Sequence, residues 1–284
     1  MRIAIVGLGG IGSTFAFHLA RAGHQVTVVA RGKRLESLQK ENAIVTVTGE
    51  RAEVQVSAAL DATLPWDLVL VTVLAPQVDV VLPSLVASSA RKVMFMFNTF
   101  EPFERLRNAV GIARFAFGFP AILAQVDEGR LTAKVVSRGQ VTTVTEPEWA
   151  EVFTAAGIPT VVHADMESWL RTHAAMVVPF MLAANTAHQR KAGVSWGEAW
   201  KLARAMGEGF KLVRQLGNAI TPAPMVVLEC LPTPTVAMLL WGLTRVEALR
   251  KSGAAGPNEP RALIDAMSAV APGQMTALRE VRPE

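Results

Sequence analysis

The stretch Arg2–Gly12, RIAIVGLGGIG, decides the fold class of this 284-residue chain. Its first half, Arg2–Val6, is a short apolar run that predicts a buried β-strand, and the spacing of apolar residues over Gly10–Ala22 predicts a helix directly after it. The turn between them carries glycines at the spacing G-x-G-x-x-G. A glycine-rich turn that follows a strand and opens a helix is the fingerprint of a dinucleotide-binding unit. The stretch therefore predicts a dinucleotide site at the start of the sequence.

The three glycines of the G-x-G-x-x-G spacing each have a physical role. Gly7 permits the tight turn, Gly9 lets the backbone approach a pyrophosphate, and Gly12 lets the helix pack closely on the strand. The N-terminus of the helix supplies N–H groups and a positive dipole to the phosphates. The predicted phosphate-binding residues are Gly7, Leu8, Gly9, Gly10, Ile11 and Gly12.

The residues after the second predicted strand, Gln25–Ala30, set the choice between NAD and NADP. An NAD-binding chain places Asp or Glu there for the ribose 2′-hydroxyl, whereas this chain has Arg31-Gly32-Lys33-Arg34. Arg31 can hold a 2′-phosphate with two parallel hydrogen bonds, and Lys33 or Arg34 can add positive charge. We therefore predict NADP as the cofactor; a solvated basic turn is the alternative.

The alternation of strands and helices continues through the N-terminal half. Further strands are predicted over Ile44–Val47, Glu53–Val56, Leu68–Val73 and Lys92–Phe97, and helices over Arg34–Glu41 and Gln77–Ala87. After about Ala164 only helical spacing remains, over Glu167–Ala192, Trp196–Leu216, Thr235–Lys251 and Arg261–Val270. Strands that are apolar on both faces and alternate with helices indicate a parallel sheet covered on both sides.

The predicted fold class is therefore α/β, with an N-terminal Rossmann-like dinucleotide-binding domain and an all-helical C-terminal domain. We place the NADP-binding domain at residues 1–164 and the helical substrate and dimerisation domain at residues 165–284, because the β-signal is lost near residues 163–166.

Composition excludes several classes of protein. Hydrophobic residues make up 51% of the chain and charged residues 18%, which is typical of a globular protein. The single cysteine, Cys230, excludes an internal disulfide framework and a cysteine-rich zinc site, and the absence of tyrosine excludes a tyrosine acid. No histidine–carboxylate spacing matches a metal site, so no metal is predicted.

Charge and hydropathy indicate what the chain binds. The net charge of +4 is concentrated in residues 1–40, which carry six basic residues against one acidic residue. This favours a small anionic ligand over nucleic acid. The longest apolar stretches fall short of the roughly 20 residues of a membrane span, and the strand at Arg2–Val6 leaves no room for a signal peptide, so we expect a cytoplasmic protein. The apolar C-terminal helices could form a homodimer interface or an internal core.

Taken together, these features resemble the ketopantoate reductase family. The resemblance rests on the fingerprint, on VARGKRLESL at residues 29–38, on Asn98 after the KVMFMF run, and on AAGIP at 155–159 followed by MESWLR at 166–171. It implies an NADP-binding domain, a helical second domain and a substrate cleft between them. It also implies hydride transfer to a 2-keto acid, which becomes a 2-hydroxy acid.

The resemblance carries over to three candidate catalytic residues. Asn98 matches a family asparagine near the nicotinamide ribose and the substrate, although Thr99 stands where the family has glycine. Arg171 stands where the family has its proton-donating lysine, two residues after Trp169. Because arginine keeps its proton, it can bind a carboxylate but is a poor acid. His173 is the predicted substitute acid.

Other family positions depart from the pattern. A family lysine after the fourth strand is replaced by the sequence at residues 74–77, and two family asparagines are replaced by Ala175 and Pro179. Ala237 stands at the family serine, and Glu259 is the candidate for the family carboxylate.

The leading hypothesis is an NADP-dependent oxidoreductase with a small-molecule carbonyl substrate. Two alternatives stay open. The chain could be an NADPH-binding sensor or scaffold with a degenerate active site, or it could reduce a different carbonyl or an imine.

Overall fold

The computed structural model describes residues 1–253 and 256–284. By packing, the chain divides into two compact units: Met1–Asn98 with Phe103–Met166 form the first, and Thr99–Pro102 with Glu167–Glu284 form the second. The functional domains placed at residues 1–164 and 165–284 stay a prediction.

Within the described residues, the strands are β1 (Arg2–Val6), β2 (Gln25–Val29), β3 (Ala43–Thr46), β4 (Arg51–Glu53), β5 (Gln55–Ser57), β6 (Leu68–Val71), β7 (Lys92–Met96), β8 (Phe115–Phe119), β9 (Ile122–Asp127), β10 (Arg130–Val135), β11 (Thr142–Val144) and β12 (Thr160–Val162). The α-helices are α1 (Gly10–Arg21), α2 (Gly32–Glu41), α3 (Val78–Ala87), α4 (Glu104–Val110), α5 (Pro147–Ala155), α6 (Met166–Arg190), α7 (Trp196–Gln215), α8 (Ala223–Cys230), α9 (Thr233–Leu243), α10 (Glu247–Ser252), α11 (Asn258–Val270) and α12 (Thr276–Glu280).

An eight-stranded sheet organises the first unit, in the order β12-β11-β8-β7-β6-β1-β2-β5. The six strands from β8 to β5 run parallel, whereas β11 is antiparallel to β8 and carries β12 parallel to itself. The inner strands are continuous apolar runs because both faces are covered: Ile3, Ala4 and Ile5 have no solvent exposure. The α/β class with a helical C-terminal region is confirmed.

A second sheet, which the sequence analysis did not predict, lies against α1. Its order is β4-β3-β10-β9, and its strands β9 and β10 form a hairpin whose turn residues, Glu128 and Gly129, both have positive φ. A Cβ on Gly10 would lie 2.4 Å from the carbonyl oxygen of Ala124 in β9. The start of α1 therefore packs directly on the backbone of this hairpin.

Two predicted elements are wrong in detail. The strand predicted over Glu53–Val56 is divided between the two sheets, since β4 pairs with β3 and β5 pairs with β2. The helix predicted over Thr235–Lys251 is interrupted after α9, where Thr244 donates its hydroxyl hydrogen to the carbonyl oxygen of Trp241 at 3.0 Å, and a separate α10 follows. In both cases local spacing could not show where the chain changes its packing partner.

The second unit is a helical assembly around α6 and α7. Ser195 begins α7 with a capping box, in which its hydroxyl accepts the N–H of Glu198 and the Glu198 carboxylate accepts the N–H of Ser195. Small residues let α6 and α7 approach closely, because a Cβ on Gly209 would lie 3.0 Å from the Cβ of Ala175.

Among the described residues no single helix combines the length and hydropathy of a membrane span. Helices α8 and α9 meet that criterion only as a pair, across a bend of 111°.

Candidate cofactor-binding site

The strand register brings the ends of four parallel strands to one edge of the main sheet. Val6 of β1 pairs with Val29 of β2 and Val71 of β6, and Val71 pairs in turn with Phe95 of β7. The residues that follow each strand therefore emerge together. In open parallel sheets this carboxyl edge is where ligands bind.

The glycine-rich turn at this edge is held by very close packing. Gly7 has a φ of +103°, and the hydroxyl of Thr72 donates to its carbonyl oxygen at 2.6 Å. A Cβ on Gly12 would lie 2.0 Å from the same oxygen, so the first turn of α1 fits against Gly7 only with glycine at position 12. Gly9, by contrast, faces open space, since a Cβ there would meet nothing within 4 Å.

The N-terminus of α1 is chemically suited to an anion. Gly9 is its N-cap, no side chain caps the helix, and the first turn holds no acidic residue. The first N–H groups of the helix lack intrahelical partners, and together with the helix dipole they favour phosphate.

A cavity of about 470 Å³ opens beside this turn. Its lining includes Gly7, Leu8 and Gly9 of the glycine-rich turn together with Arg31. The remaining described residues that border it are mostly apolar: Val6, Val29, Ala30, Arg34, Ala59, Leu60, Val73, Gln77, Val80, Val81 and Ser84. Glycines that expose backbone, an apolar wall and two arginines, Arg31 and Arg34, as the charged residues in the described lining fit a dinucleotide that carries phosphates.

Several of these wall residues were not singled out by the sequence analysis. Ala59 and Leu60 follow the short strand β5, and Val80, Val81 and Ser84 lie on α3. Gln77 ends the 3-10 turn Ala75–Gln77, where its side-chain oxygen accepts the N–H of Leu74 at 3.2 Å. These residues belong to no recognisable sequence motif. They line one cavity only because segments that are distant along the chain pack together.

Arg31 lies at the cavity and at the N-terminus of α2. It is exposed and forms the N-cap of α2 without a side-chain capping bond, and Gly32 after it has a φ of +52°. A guanidinium beside the uncapped start of a helix without acidic first-turn residues favours a bound anion. Lys33 is also exposed, but it is not among the described residues that line the cavity.

Asn98 lies two residues beyond the end of β7, at the same edge of the sheet, and is half-buried. Thr99 after it is buried, and its hydroxyl oxygen accepts the N–H of Glu101 at 3.1 Å. Asn98 is thus the last residue of its segment in the first compact unit, and Thr99 is the first residue of the short segment assigned to the second.

Arg171 is buried in the second unit and is held by several partners. Its Nη1 donates to Oδ1 of Asn218 at 2.5 Å, its Nη2 lies 2.9 Å from Oε1 of Glu167, and its Nε donates to the carbonyl oxygen of Phe100 at 3.4 Å. The guanidinium also lies over the Phe100 ring, 5.7 Å from its centroid. Each of its three nitrogens has a partner within the protein.

His173 is buried one helical turn after Trp169. Its ring stacks on the Trp169 ring with centroids 5.2 Å apart and planes at 11°. Burial lowers the pKa of His173 from its usual 6.5 to about 3, because the charged imidazolium loses its hydration. The residue is therefore neutral at neutral pH, which disfavours it as a general acid.

The remaining family positions of the second unit lie on α6, α9 and α11. Ala175 is fully buried against Gly209, and Pro179 lies inside α6. Ala237 is fully buried on α9, and Glu259 lies in the first turn of α11. Among the described residues there is no group of three or more His, Cys, Asp or Glu side chains that could hold a metal ion.

The fold and the edge site define a protein with a Rossmann-like α/β unit, a glycine-rich turn at its carboxyl edge and a helical second unit. The sequence model of the family described as "Ketopantoate reductase PanE/ApbA" matches residues 3–147. The chain belongs to this family, and the predicted resemblance is confirmed.

Individual relatives agree with this family. A 2-dehydropantoate 2-reductase of Vibrio cholerae is 30% identical over 138 residues, which cover 47% of this chain and 42% of the relative, so the match spans less than half the length of that curated protein. A PanE/ApbA family ketopantoate reductase of Ralstonia eutropha JMP134 has a TM-score of 0.75 at 20% identity, over 99% of this chain and 96% of that one. The dimeric ketopantoate reductase of Staphylococcus aureus has a TM-score of 0.68 at 12% identity, over 99% and 98%.

Proposed function

We propose that this chain is an NADP-dependent oxidoreductase that reduces the carbonyl group of a small molecule, with 2-keto acids as the first substrate class. The observation that carries the proposal is the cavity at the carboxyl edge of the main sheet, where exposed glycine backbone and Arg31 face one space. Family membership supports the same assignment.

In this proposal each part of the edge has one task. The N-terminus of α1 binds the pyrophosphate, and Arg31 binds the 2′-phosphate, with Lys33 adding positive charge at longer range. NADPH, when bound, supplies the hydride that a carbonyl carbon accepts. Asn98, at the end of β7 along the same edge, orients the nicotinamide ribose or the substrate.

The catalytic roles of Arg171 and His173 stay predictions, and their surroundings favour other tasks. Arg171 already donates to Asn218 and Phe100 and lies against Glu167, so its observed contacts serve the packing of the second unit. His173 is neutral and buried. We therefore propose that water donates the proton that the carbonyl oxygen of the substrate receives.

The same two environments favour a second function, an NADPH-binding sensor or scaffold that does not turn over. An arginine fully used in packing and a histidine with a pKa of about 3 leave the helical unit without an evident acid at either predicted position. The cofactor site would then serve binding alone.

One assay separates the two functions. The purified chain is mixed with NADPH and ketopantoate, other 2-keto acids, ketones or imines, and the loss of absorbance of the reduced nicotinamide is followed. Turnover with any member supports the reductase and identifies its substrate class. Tight NADPH binding by calorimetry without turnover supports the sensor, and the absence of NADPH binding would contradict both.

We also propose that the chain forms a homodimer through an exposed apolar surface of its second unit. Helix α8 has no buried residue although its sequence, APMVVLEC, is largely apolar. The surface, called here the α7–α9 apolar surface, consists of residues that are 37–64% exposed: Trp196, Trp200, Val226, Val227, Met238, Leu239, Trp241, Leu243 and Val246.

Two parts of this surface, the start of α7 and the end of α9, are joined by a hydrogen bond. The N–H of Val194, just before α7, donates to the hydroxyl of Thr244 at the end of α9 at 3.2 Å, which brings the two tryptophans of α7 beside the end of α9. The nine side chains expose an area on the order of 800 Å², which is what each partner contributes to an interface of standard size. Two ion pairs on the helices that carry these residues, Arg190–Glu198 and Arg214–Glu229, are the groups that we propose for its polar rim.

A further inference from the structure

Arg34, which the sequence pattern offered as a source of charge for the 2′-phosphate, is engaged elsewhere. It lies in the first turn of α2 and is half-buried. Its Nε donates to the carbonyl oxygen of Leu8 at 3.2 Å, its Nη2 donates to the hydroxyl of Ser13 at 2.9 Å, and its Nη1 donates to the carbonyl oxygen of Gly129 at 3.2 Å. All three nitrogens thus hold protein acceptors.

These acceptors belong to three parts of the first unit that meet at the Arg34 side chain, and Leu8 and Arg34 themselves line the cavity. Leu8 is in the glycine-rich turn, Ser13 is in the first turns of α1, and Gly129 is in the turn between β9 and β10. The hydroxyl of Ser13 also donates to the carbonyl oxygen of Leu8, at 3.4 Å. Two donors therefore fix the direction of a single carbonyl in the phosphate-binding turn.

Fixing this carbonyl also fixes an N–H group. The Leu8–Gly9 peptide is trans, and in a trans peptide the C=O and the following N–H point in opposite directions. Because the Leu8 oxygen is directed toward Arg34 and Ser13, the N–H of Gly9 is directed away from them. Leu8 and Gly9 both line the cavity, and Gly9 has open space around its Cα.

We propose that Arg34 is a positioning residue, which holds the Leu8–Gly9 peptide so that the N–H of Gly9 is presented to the pyrophosphate of a bound dinucleotide. A carbonyl oxygen turned toward the phosphates would repel them, and the guanidinium keeps it turned away. This inference rests on the proposed function, because it assumes that the cavity binds NADP.

The β9–β10 hairpin supports this arrangement. Gly129 has a φ of +83°, and a Cβ there would lie 2.6 Å from the hydroxyl oxygen of Ser37 on α2, so the turn packs tightly against the helix that carries Arg34. At the other end of the hairpin, Ala124 packs on Gly10. The β9–β10 hairpin therefore packs against both helices, α1 and α2, that adjoin the phosphate-binding turn.

Arg34 and Arg31 should affect different phosphate groups of the cofactor. The pyrophosphate is common to NADPH and NADH, whereas the 2′-phosphate belongs to NADPH alone. Loss of the Arg34 contacts should weaken both cofactors by the same factor. Loss of Arg31 should change the ratio between them.

The test measures the Kd of NADPH and of NADH by calorimetry for the full-length wild type and for Arg34→Lys. Lysine keeps the charge but cannot bridge three acceptors, because it lacks the planar fork of arginine. We expect Kd to rise about tenfold for both cofactors, the loss of one charge-assisted hydrogen bond, with their ratio unchanged. Unchanged affinity, or a loss confined to NADPH, would overturn the inference.

A second measurement and a second variant complete the test. Hydrogen exchange of the cofactor-free protein should become faster over residues 7–12 in Arg34→Lys while the urea midpoint of unfolding stays close to that of the wild type. If Arg34→Lys does not fold, Ser13→Ala removes one contact to Arg34 and one donor to the Leu8 oxygen, and it should weaken both cofactors equally but less. Equal exchange in all proteins would contradict the inference.

The outcomes also distinguish this inference from the proposed function. A wild type that binds neither cofactor overturns the proposed function and the inference with it. A wild type that binds NADPH while the Arg34 and Ser13 variants bind it equally well overturns the inference alone.

Discussion

At the scale of single residues, two arginines at the start of α2, three positions apart, have different surroundings. Arg31 is exposed at the cavity, and Arg34 is half-buried with its three nitrogens bound to protein acceptors. Burial lowers the pKa of Arg34 from its usual value, because desolvation disfavours the charged form, but a guanidinium keeps its proton at any working pH. Sequence position alone does not distinguish the two roles.

The first prediction concerns Arg31. Arg31→Ala should raise the Kd of NADPH about tenfold or more and leave that of NADH within about twofold, because a charge-assisted hydrogen bond to the 2′-phosphate is lost. Calorimetry with both cofactors measures this. Lys33→Ala is the matched control and should have the smaller effect, since Lys33 lies outside the described lining of the cavity. Equal weakening of both cofactors by Arg31→Ala would refute the 2′-phosphate role.

The second prediction concerns the neutral, buried His173. Its pKa of about 3 lies below the 6.5 of an unfolded chain, so the unfolded state binds the extra proton first as the pH falls. The stability that this residue contributes is therefore complete above about pH 6.5 and is lost progressively toward pH 3. By this linkage the free energy of unfolding should fall by about 2 kcal/mol between pH 8 and pH 5 on account of His173 alone.

Urea unfolding of the wild type and of His173→Phe between pH 8 and pH 5 measures this effect. Phenylalanine keeps a ring for the stack on Trp169 but does not titrate, so the variant should lack the slope, whatever its stability at pH 8. His24, whose pKa burial also lowers, is present in both proteins and cancels in the comparison. Parallel pH profiles would contradict the assignment of a neutral His173.

At the scale of elements, the turn between β1 and α1 is fixed by packing on both sides. Gly7 and Gly12 pack on each other, Gly10 packs on β9, and Gly9 alone of the four faces open space. The glycines of one motif therefore differ in what they support, and substitution can separate folding from binding.

The third prediction uses Gly9 and Gly10 as a matched pair. Gly10→Ala should lower the free energy of unfolding by about 1–3 kcal/mol, because its Cβ would meet the Ala124 backbone at 2.4 Å. Gly9→Ala should leave the urea midpoint unchanged, since its φ of −74° suits alanine, and should weaken both cofactors severalfold by keeping the pyrophosphate from the backbone. A Gly9→Ala protein that binds as the wild type does would place the pyrophosphate elsewhere.

At the scale of the whole molecule, the exposed large apolar residues described in the second unit all fall within one stretch of the chain, from Trp196 at the start of α7 to Val246 just before α10. Helix α9 has apolar residues on more than one face: Val236, Ala237 and Leu240 are buried within the unit, whereas Met238 and Leu239 are exposed. Of the two alternatives that the sequence left open for these helices, the internal core describes the buried residues of α9, and the interface stays a prediction for the exposed ones.

The fourth prediction tests the homodimer. Sedimentation velocity should give a dimer for the wild type and a monomer for the pair Val227→Glu and Met238→Glu, because two carboxylates would have to be buried in the interface. Ile112→Glu is the control, since Ile112 is 75% exposed in the first unit and lies outside the α7–α9 apolar surface. A wild-type monomer at micromolar concentration would refute the proposal.

The sequence by itself determined the α/β class, the helical C-terminal region, the glycine-rich turn after β1 and the family of the chain. It could do so because periodicity and motif spacing are properties of contiguous residues. The predicted strand Arg2–Val6 agrees with β1 to the residue, and the predicted helix Trp196–Leu216 with α7 to within one residue.

The tertiary structure alone decided the pairing of β4 and β5 with different sheets, the β9–β10 hairpin, the cavity wall from α3, and the burial of Arg171 and His173. The physical reason is distance along the chain. Arg34 and Gly129 are separated by 95 residues, yet one hydrogen bond joins them beside the phosphate-binding turn. No local pattern encodes such a contact, because it forms only when the separate elements pack together.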